Sequence, residues 1–385
     1  MSAIKKSALA LVILSLVSGC NTRYVNSGND DTGSDPSCSI ELPSEEVASL
    51  KAVNEGLALG VALPAGQASN SIFKRPDLET VTVQHFNQIT AENIMKPSYM
   101  QPEQDVYEFD DTDRFVAFAE QNGMSVHGHM LVWHKRIADF KQNCSGSIQC
   151  SQYMTDHIAT VVGHYEDRIV SWDVVNEAFT DDYGSGSDYR NYDNPAHGVE
   201  GSVWYREIGK DYIPIAFLAA NAADPNALLY YNDYQLERDN DKLRITLEMI
   251  NELQVEDVPI HGIGFQMHIT HDVPSSSQLR SALQQAVDTG LLVKITEMDV
   301  RMNEYGNVSC YNTTVAQAQQ KRYQEVVTTY LEIVPEGQRG GISFWGVTDE
   351  DSWIPDFYEV PDWPLLFDES LNQKHALVGV ANALK

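Results

Sequence analysis

Eight short, mostly apolar runs alternate with helix-like segments from about Pro43 to the end of the chain. Strands that alternate with helices are typical of a parallel sheet covered by helices. A count of eight favours a closed barrel over an open sheet, and no G-x-G-x-x-G loop follows the first run. We therefore predict an α/β fold, a single-domain (β/α)8 TIM barrel over residues 43–385. The strand candidates are residues 57–61, 86–91, 125–132, 169–175, 228–231, 263–267, 292–296 and 342–345.

The segments between these runs carry the periodicity of amphipathic helices. Residues 111–121 place Phe115, Phe118 and Ala119 on one face, and Gly123 follows as a stop signal. Residues 239–253 and 277–287 repeat aliphatic side chains at similar spacing. The pattern predicts helices whose apolar faces pack on the outside of the barrel.

The first 42 residues differ from the repeating part. Lys5 and Lys6 precede an apolar run, residues 8–17, that is too short to cross a membrane as a helix. Val-Ser-Gly-Cys follows at residues 17–20 and resembles the cleavage site of a bacterial lipoprotein signal. We predict a signal peptide over residues 1–19, lipidation of Cys20 and a flexible tether over residues 20–42. An ordinary secretory signal is the alternative, and in either case we expect export. Under the lipoprotein prediction, lipidated Cys20 anchors the chain at the outer membrane or cell surface.

The remaining cysteines fit an exported chain. If Cys20 carries lipid, four cysteines remain, and an even number in an oxidising compartment suggests two disulfides. Cys144 and Cys150 enclose a small loop and are the better pair. Cys38 pairs with Cys310 only by elimination, and a free, buried Cys310 is the alternative.

The charge of the chain limits its partners. A formal net charge of −29 argues against nucleic acid, because a polyanion would be repelled. A neutral substrate fits better.

Polar and aromatic residues gather where the strand candidates end. Because barrel enzymes carry their active site at the C-terminal ends of the strands, we expect these side chains to share one pocket. From the second run to the eighth they are Glu92, Asn93, Lys96, His129, Trp133, His134, Asn176, Glu177, Asn232, Asp233, Tyr234, Gln266, His268, Glu297, Asp299, Trp345 and Trp353.

Glu177 and Glu297 each lie at the end of a strand-like run. A buried carboxylate is costly unless its charge is used, and a pair of them suits hydrolysis of a glycosidic bond. Repulsion from ionised Glu297 is expected to raise the pKa of Glu177 and keep it protonated as the acid. With Glu297 as nucleophile, this predicts retention of configuration and carboxyl groups about 5–5.5 Å apart.

The neighbours of the two glutamates have uses in the same chemistry. Gln266 and His268 alternate on one strand, so both are expected to hydrogen-bond Glu297. Asn176 can donate to a sugar 2-hydroxyl. Two further groups of candidates remain. Flat faces for pyranose rings are offered by Trp133, Trp345 and Trp353, and hydrogen bonds to hydroxyls by Glu92, Asn93 and Lys96.

Seven runs follow one another along the chain: ITAENIMK (89–96), HGHMLVWH (127–134), WDVVNEA (172–178), YNDY (231–234), GIGFQMH (262–268), KITEMDV (294–300) and residues 344–353. In the same order, they resemble the runs of glycoside hydrolase family 10, the xylanases. The resemblance covers nearly everything from Pro43 to Lys385. It implies a (β/α)8 barrel, endo-β-1,4-xylanase activity on xylan and xylo-oligosaccharides, and retention through a covalent intermediate. We further expect a monomer that needs no cofactor or metal ion.

The same resemblance implies roles for single residues. Glu177 would be the acid/base and Glu297 the nucleophile. Asp299 would join His268 and Gln266 in supporting the nucleophile. The implied substrate contacts are Glu92, Asn93, Lys96, His129, Trp133, Asn176, Tyr234, Trp345 and Trp353.

Two departures from the family pattern concern the cleft walls. The family often carries Trp directly after the position of Lys96, whereas Pro97 stands here. The loop after Glu177, residues 180–201, is long and is expected to shape the leaving-group side. Its tyrosines, among them Tyr183, Tyr189 and Tyr192, either stack on sugars or pack the loop.

Three other functions stay open from the sequence. A metal-dependent barrel hydrolase would use ligands drawn from His127, His129, His268, His271 and Asp349. A non-catalytic surface lipoprotein would bind glycans without needing both glutamates and their support. A related retaining β-1,4-glucanase would share the whole catalytic set, and only the shape of its pocket would differ.

Overall fold

The computed structural model describes residues 38–137, 144–182, 186–238 and 240–385. Within them nine strands pair in parallel, and eight close into a ring because β1 pairs with both β2 and β9 while β6 pairs with β8. The predicted (β/α)8 barrel is confirmed. The strands are β1 Leu59–Leu63, β2 Gln88–Ala91, β3 Ser125–Val132, β4 Ser171–Asn176, β5 Leu228–Asp233, β6 Gly262–Phe265, β7 His268–Thr270, β8 Leu292–Arg301 and β9 Arg339–Phe344.

Helices cover the outside of the barrel and follow the predicted periodicity closely. The predicted helix at 277–287 spans Ser276–Asp288 and starts from a capping box between Ser275 and Gln278. The one predicted from residue 239 begins at Asp241, after an Asn240 cap, and residue 239 lies outside the described residues. The helices are α1 Pro76–His85, α2 Pro97–Met100, α3 Asp110–Gln121, α4 Ser147–His164, α5 Val203–Ile208, α6 Tyr212–Ala223, α7 Asp241–Val255, α8 Ser276–Asp288, α9 Thr313–Ile333, α10 Trp353–Tyr358 and α11 His375–Leu384, with 3-10 turns at Ile72–Lys74, Pro195–His197, Leu236–Arg238, Glu336–Gln338 and Asp349–Asp351.

Two strands differ from their predicted bounds in a way that matters for the site. The sixth run is broken at Met267, whose φ of 64° is left-handed, so β6 ends at Phe265 and β7 starts at His268. β7 pairs with the outer end of β8, which places His268 opposite Asp299. This extra pairing lengthens β8 to Arg301, so Glu297 and Asp299 lie within the strand and do not follow it.

The barrel is tightly packed beneath the mouth. β1 is buried along its whole length, as expected for a strand covered on both faces. A Cβ on Gly128 of β3 would lie 2.1 Å from the Trp172 ring of β4, so only glycine lets that fully buried ring pack there. The run that leads to Glu177 is therefore held by close contact with its neighbour.

Both predicted disulfides are present, Cys144–Cys150 and Cys38–Cys310. The second joins residues 272 positions apart and ties the start of the described chain to the loop between β8 and α9. The alternative of a free Cys310 is wrong. Residues 1–37, including Cys20, lie outside the described residues, and none of the helices that are described is long and apolar enough to cross a membrane.

Candidate active site

Glu177 and Glu297 line one cleft at the C-terminal mouth of the barrel, with a volume of about 500 Å³. All predicted substrate contacts except Asn93 line it as well, and Asn93 accepts a hydrogen bond from Lys96 at 2.9 Å. Pro97, the departure noted above, starts the short helix α2. The lining contacts from the predicted set are Glu92, Lys96, His129, Trp133, Asn176, Tyr234, Trp345 and Trp353, together with Gln266 and His268.

Glu177 is the first residue after β4 and has a left-handed backbone, with φ of 55°. Its N–H donates to the carbonyl of Asn232 on β5 at 2.9 Å. Two donors reach its carboxylate: Trp133 Nε1 lies 2.9 Å from Oε2 and Gln266 Nε2 lies 3.1 Å from Oε1. The carboxylate is thus aimed from the rim of the barrel into the cleft.

Glu297 is held by a different set of donors. Asn232 Nδ2 donates to its Oε1 at 2.7 Å, and His268 Nε2 lies 3.2 Å from its Oε2. The other His268 nitrogen lies 2.9 Å from Asp299 Oδ2, which also accepts from Trp353 Nε1 at 2.9 Å. Burial lowers the pKa of His268, but Asp299 and Glu297 raise it well above 6.5, so the ring is an imidazolium that can donate to both carboxylates.

Gln266 supports a different glutamate from the one predicted. The prediction that its side chain hydrogen-bonds Glu297 together with His268 is wrong, because the Gln266 amide donates to Glu177. It is the main-chain carbonyl of Gln266 that contacts Glu297, accepting from its N–H at 3.0 Å. The left-handed Met267 between Gln266 and His268 breaks the strand alternation on which that prediction rested. The two side chains therefore divide between the two glutamates.

The protonation state of Glu177 also differs from the prediction. Burial raises the pKa of its carboxyl, but the charges of His134 and Arg190 and the two donated hydrogen bonds lower it to about 2. Burial holds the pKa of His134 itself well below 6.5, so at neutral pH Arg190 and the hydrogen bonds carry this lowering. In the ligand-free cleft these contacts therefore lower the pKa of the Glu177 carboxyl, whereas repulsion from Glu297 was expected to raise it.

A buried carboxylate supports the floor of the cleft. Asp173 on β4 lies between two histidines of β3, with Oδ2 2.8 Å from His129 Nδ1 and Oδ1 3.1 Å from His127 Nε2. The far nitrogen of His127 lies 2.7 Å from Ser171 Oγ. Burial raises the pKa of Asp173, but the two histidines lower it more strongly, so this carboxyl stays ionised well below its usual range.

We expect Asp173→Asn to lower the free energy of unfolding at pH 7.5 by about 2–4 kcal/mol, because an amide accepts from only one of the two ring N–H groups. The folded-state pKa of Asp173 lies below the unfolded value near 3.8, so its stabilisation is present above about pH 4 and is lost as the pH falls towards the folded pKa. The gap between variant and wild type should therefore narrow below pH 4. Urea titrations at pH 7.5, 4 and 3 measure both effects, with the exposed-site variant Asp288→Asn as control. Equal stabilities at pH 7.5 would contradict this role.

The loop after Glu177 uses its described tyrosines in different ways. Tyr189 stacks on Tyr205, with ring centroids 4.9 Å apart, and lies 4.7 Å from the Phe179 ring. It therefore packs the loop, which answers for this residue the alternative posed by the sequence. Tyr192 is exposed, and Tyr183 lies outside the described residues.

Arg190, in the same loop, is a site residue that sequence reasoning missed. It lines the cleft, donates through Nε to the main-chain carbonyl of Glu177 at 2.8 Å, and donates through Nη2 to the Tyr234 hydroxyl at 2.8 Å. The sequence did contain a signal for it. Arg190 is the one arginine or lysine in residues 180–201, a loop that carries five acidic residues.

The predicted metal ligands have other partners. His127 and His129 flank Asp173, His268 bridges Glu297 and Asp299, and Asp349 pairs with Lys374 at 2.7 Å. His271 lies beside Asp272 near the surface. Among the residues that the structure describes, no group of three or more histidine, cysteine or acidic side chains is arranged to hold a metal ion.

A parallel (β/α)8 barrel with two differently supported glutamates in one cleft at its C-terminal mouth defines a glycoside hydrolase. Residues 49–383 match glycosyl hydrolase family 10. The chain belongs to this family.

Similar proteins have been described under xylanase names. The chain is 42% identical over 347 residues to endo-beta-1,4-xylanase Xyn10C of Cellvibrio japonicus, covering 85% of this chain but 56% of that protein. It therefore spans about half the length of this relative. It is 36% identical to endo-1,4-beta-xylanase B of Thermotoga neapolitana, covering 88% of this chain and 91% of that one. A solved structure of a Xyn10C mutant from Cellvibrio japonicus with xylopentaose superposes with a TM-score of 0.82 at 40% identity, covering 88% of this chain and 69% of that one.

Proposed function

We propose that this chain is an endo-β-1,4-xylanase that hydrolyses xylan and xylo-oligosaccharides with retention through a covalent glycosyl-enzyme intermediate. The observation that carries the proposal is the unequal support of the two glutamates in one cleft. Glu297 is held by Asn232 and the His268 imidazolium, as a nucleophile whose charge must be kept and oriented requires. Glu177 faces the cleft from the strand rim with Trp133 and Gln266, as a group that exchanges a proton with the leaving oxygen requires.

The two steps of retaining hydrolysis require opposite protonation states of Glu177. A sugar chain that fills the cleft removes water from the carboxyl, and this added burial raises the pKa towards the acid form that the first step uses. Glu297 attacks the anomeric carbon while Glu177 passes its proton to the leaving oxygen. In the second step the leaving group has departed from its side of the cleft. The low pKa of Glu177 then favours its ionised form, the base that activates water.

The substrate is supported by the relatives named above and by the lining of the cleft, which mixes indole faces with hydrogen-bonding groups. A retaining β-1,4-glucanase is the nearest alternative. Product analysis on xylan, arabinoxylan and cellulose, side by side, separates the two. Xylo-oligosaccharides from the first two substrates and no release from cellulose are expected; faster hydrolysis of cellulose would contradict the proposal.

We also propose that the chain is exported as a monomeric lipoprotein anchored through Cys20, on the strength of the charged start, the short apolar run and the Val-Ser-Gly-Cys sequence. One chain supplies both glutamates, so catalysis requires no second copy.

Cys20→Ser is expected to move the activity from the membrane fraction to the soluble fraction of producing cells, because the acceptor of the lipid is lost. Labelling with radioactive palmitate and fractionation measure this, and Ser18→Ala serves as control. A Cys20→Ser protein that stayed in the membrane fraction would contradict the anchor.

A further inference from the structure

Arg190 is a buried cation in contact with the main chain of the acid/base. Its residue is 5% exposed although it lies in an otherwise acidic loop. Its N–H donates to the Ala178 carbonyl at 3.0 Å, and its guanidinium donates to the Glu177 carbonyl and the Tyr234 hydroxyl, each at 2.8 Å. A planar guanidinium with several donors suits such a bridge between fixed acceptors.

The backbone of Glu177 needs this kind of support. A left-handed backbone is uncommon for a residue other than glycine and persists where its surroundings hold it. The Glu177 N–H is fixed by the Asn232 carbonyl, and the following N–H, of Ala178, donates to the Tyr231 hydroxyl at 3.1 Å. Arg190 fixes the carbonyl between these two donors, so the whole peptide turn that aims the carboxylate is held.

A second buried cation fixes the other end of the bridge. Lys242 is 1% exposed and pairs with Asp233 at 2.8 Å and Asp181 at 3.3 Å. Its ammonium also lies 3.2 Å from the centre of the Tyr234 ring. Tyr234 lines the cleft on the β5 side, next to the loop expected to hold the leaving group, so its hydroxyl is a fixed acceptor for Arg190.

We propose that Arg190 is a positioning residue for the acid/base, which acts through the main chain of Glu177 and the Tyr234 hydroxyl and governs proton transfer to the leaving group. This rests on the function proposed above. Attack by Glu297 does not pass through this bridge, because its partners are Asn232 and His268. Loss of Arg190 should therefore impair substrates that need a proton and spare those that do not.

The charge of Arg190 predicts a pH effect as well. The ionisable groups that interact with Glu177 include His134, with Nδ1 3.9 Å from Oε2, and Lys96, Asp233, Tyr234 and Arg190. Glu297, Lys135, Asp181 and Arg238 line the same cleft. Removing the guanidinium takes away a positive charge that lowers the pKa of Glu177, so this pKa should rise. The alkaline limb of kcat, where the acid loses its proton in the substrate complex, should move to higher pH.

The test compares kcat/KM on xylotetraose and on 2,4-dinitrophenyl β-xylobioside, whose leaving group needs no proton. It also records the pH dependence of kcat on xylotetraose from pH 4 to 9. Arg190→Met should lose about 100-fold on xylotetraose and less than about threefold on the aryl substrate, with the alkaline limb raised by about one unit. Arg190→Lys keeps the positive charge but loses the planar guanidinium that donates to two acceptors. Its alkaline limb should therefore stay at the wild-type pH, while hydrolysis of xylotetraose should still fall. The control Arg206→Met removes a partly exposed arginine of α5, which pairs with Asp193, and should match wild type.

The outcomes separate the possible failures. Equal losses on both substrates, or an alkaline limb that does not move in Arg190→Met, would overturn the positioning role and leave only a structural one. If Arg190→Met does not fold, the split between the two substrates in Arg190→Lys decides by the same criterion. A wild-type enzyme that hydrolyses neither substrate would overturn the proposed function, and this inference with it.

Discussion

Replacing Glu297 with alanine is expected to lower the turnover of xylan by at least about 10⁴-fold, because the covalent step loses its nucleophile. Binding of xylotetraose should stay within about tenfold, since ring stacking and hydroxyl contacts along the cleft remain. Hydrolysis kinetics and calorimetric titration measure the two effects. The matched control is Glu336→Ala, which removes an exposed glutamate in the 3-10 turn before β9.

The same variant tests which face of the sugar Glu297 occupies. With Glu297 absent, azide can enter the vacated space and attack 2,4-dinitrophenyl β-xylobioside from that side. The product should be the α-xylobiosyl azide, with inverted configuration, because the attack comes from the face opposite the leaving group. A β-azide from the Glu297→Ala variant, or xylan turnover within tenfold of wild type, would contradict the assignment of the nucleophile.

The barrel and the meeting of the two glutamates could be predicted because each depends on local patterns. Strand-like runs that alternate with helical periodicity are read from neighbouring residues, and parallel topology then brings every strand end to one mouth. Glu177 and Glu297, 120 residues apart (297 − 177), reach the same cleft for that reason. Their catalytic roles stay predictions until the variants are measured.

The features that sequence reasoning predicted wrongly or missed depend on backbone conformation or on long-range contacts. The partner of Gln266 was wrong because one left-handed residue, Met267, ends the alternation that strand reasoning assumes. Arg190 was missed because its bridge joins Glu177 to Tyr234, 57 residues further on (234 − 177), through a loop without repeating structure. The lowered pKa of Glu177 in the ligand-free cleft depends on the Trp133 and Gln266 hydrogen bonds and on the Arg190 guanidinium, so it could not be predicted before these contacts were known.

Replacing Glu177 with alanine is expected to give a loss that depends on the leaving group. Xylan turnover should fall by about 10²–10⁴-fold, the range typical of general acid catalysis, because the leaving sugar oxygen departs without a proton. On 2,4-dinitrophenyl β-xylobioside the first step should be nearly unchanged, because dinitrophenolate leaves unaided. The glycosyl-enzyme should then accumulate, since no base activates water, and a burst of dinitrophenolate followed by a slow steady state measures this.

Azide again reports the geometry, now from the opposite face. In Glu177→Ala the space of the acid/base is open, so azide should attack the accumulated glycosyl-enzyme there, restore turnover of the aryl substrate and yield the β-xylobiosyl azide. Opposite azide anomers from the Glu177 and Glu297 variants can arise only if the two carboxylates lie on opposite faces of the same sugar. If both variants gave the same anomer, or if azide restored neither, the two glutamates would not form a retaining pair.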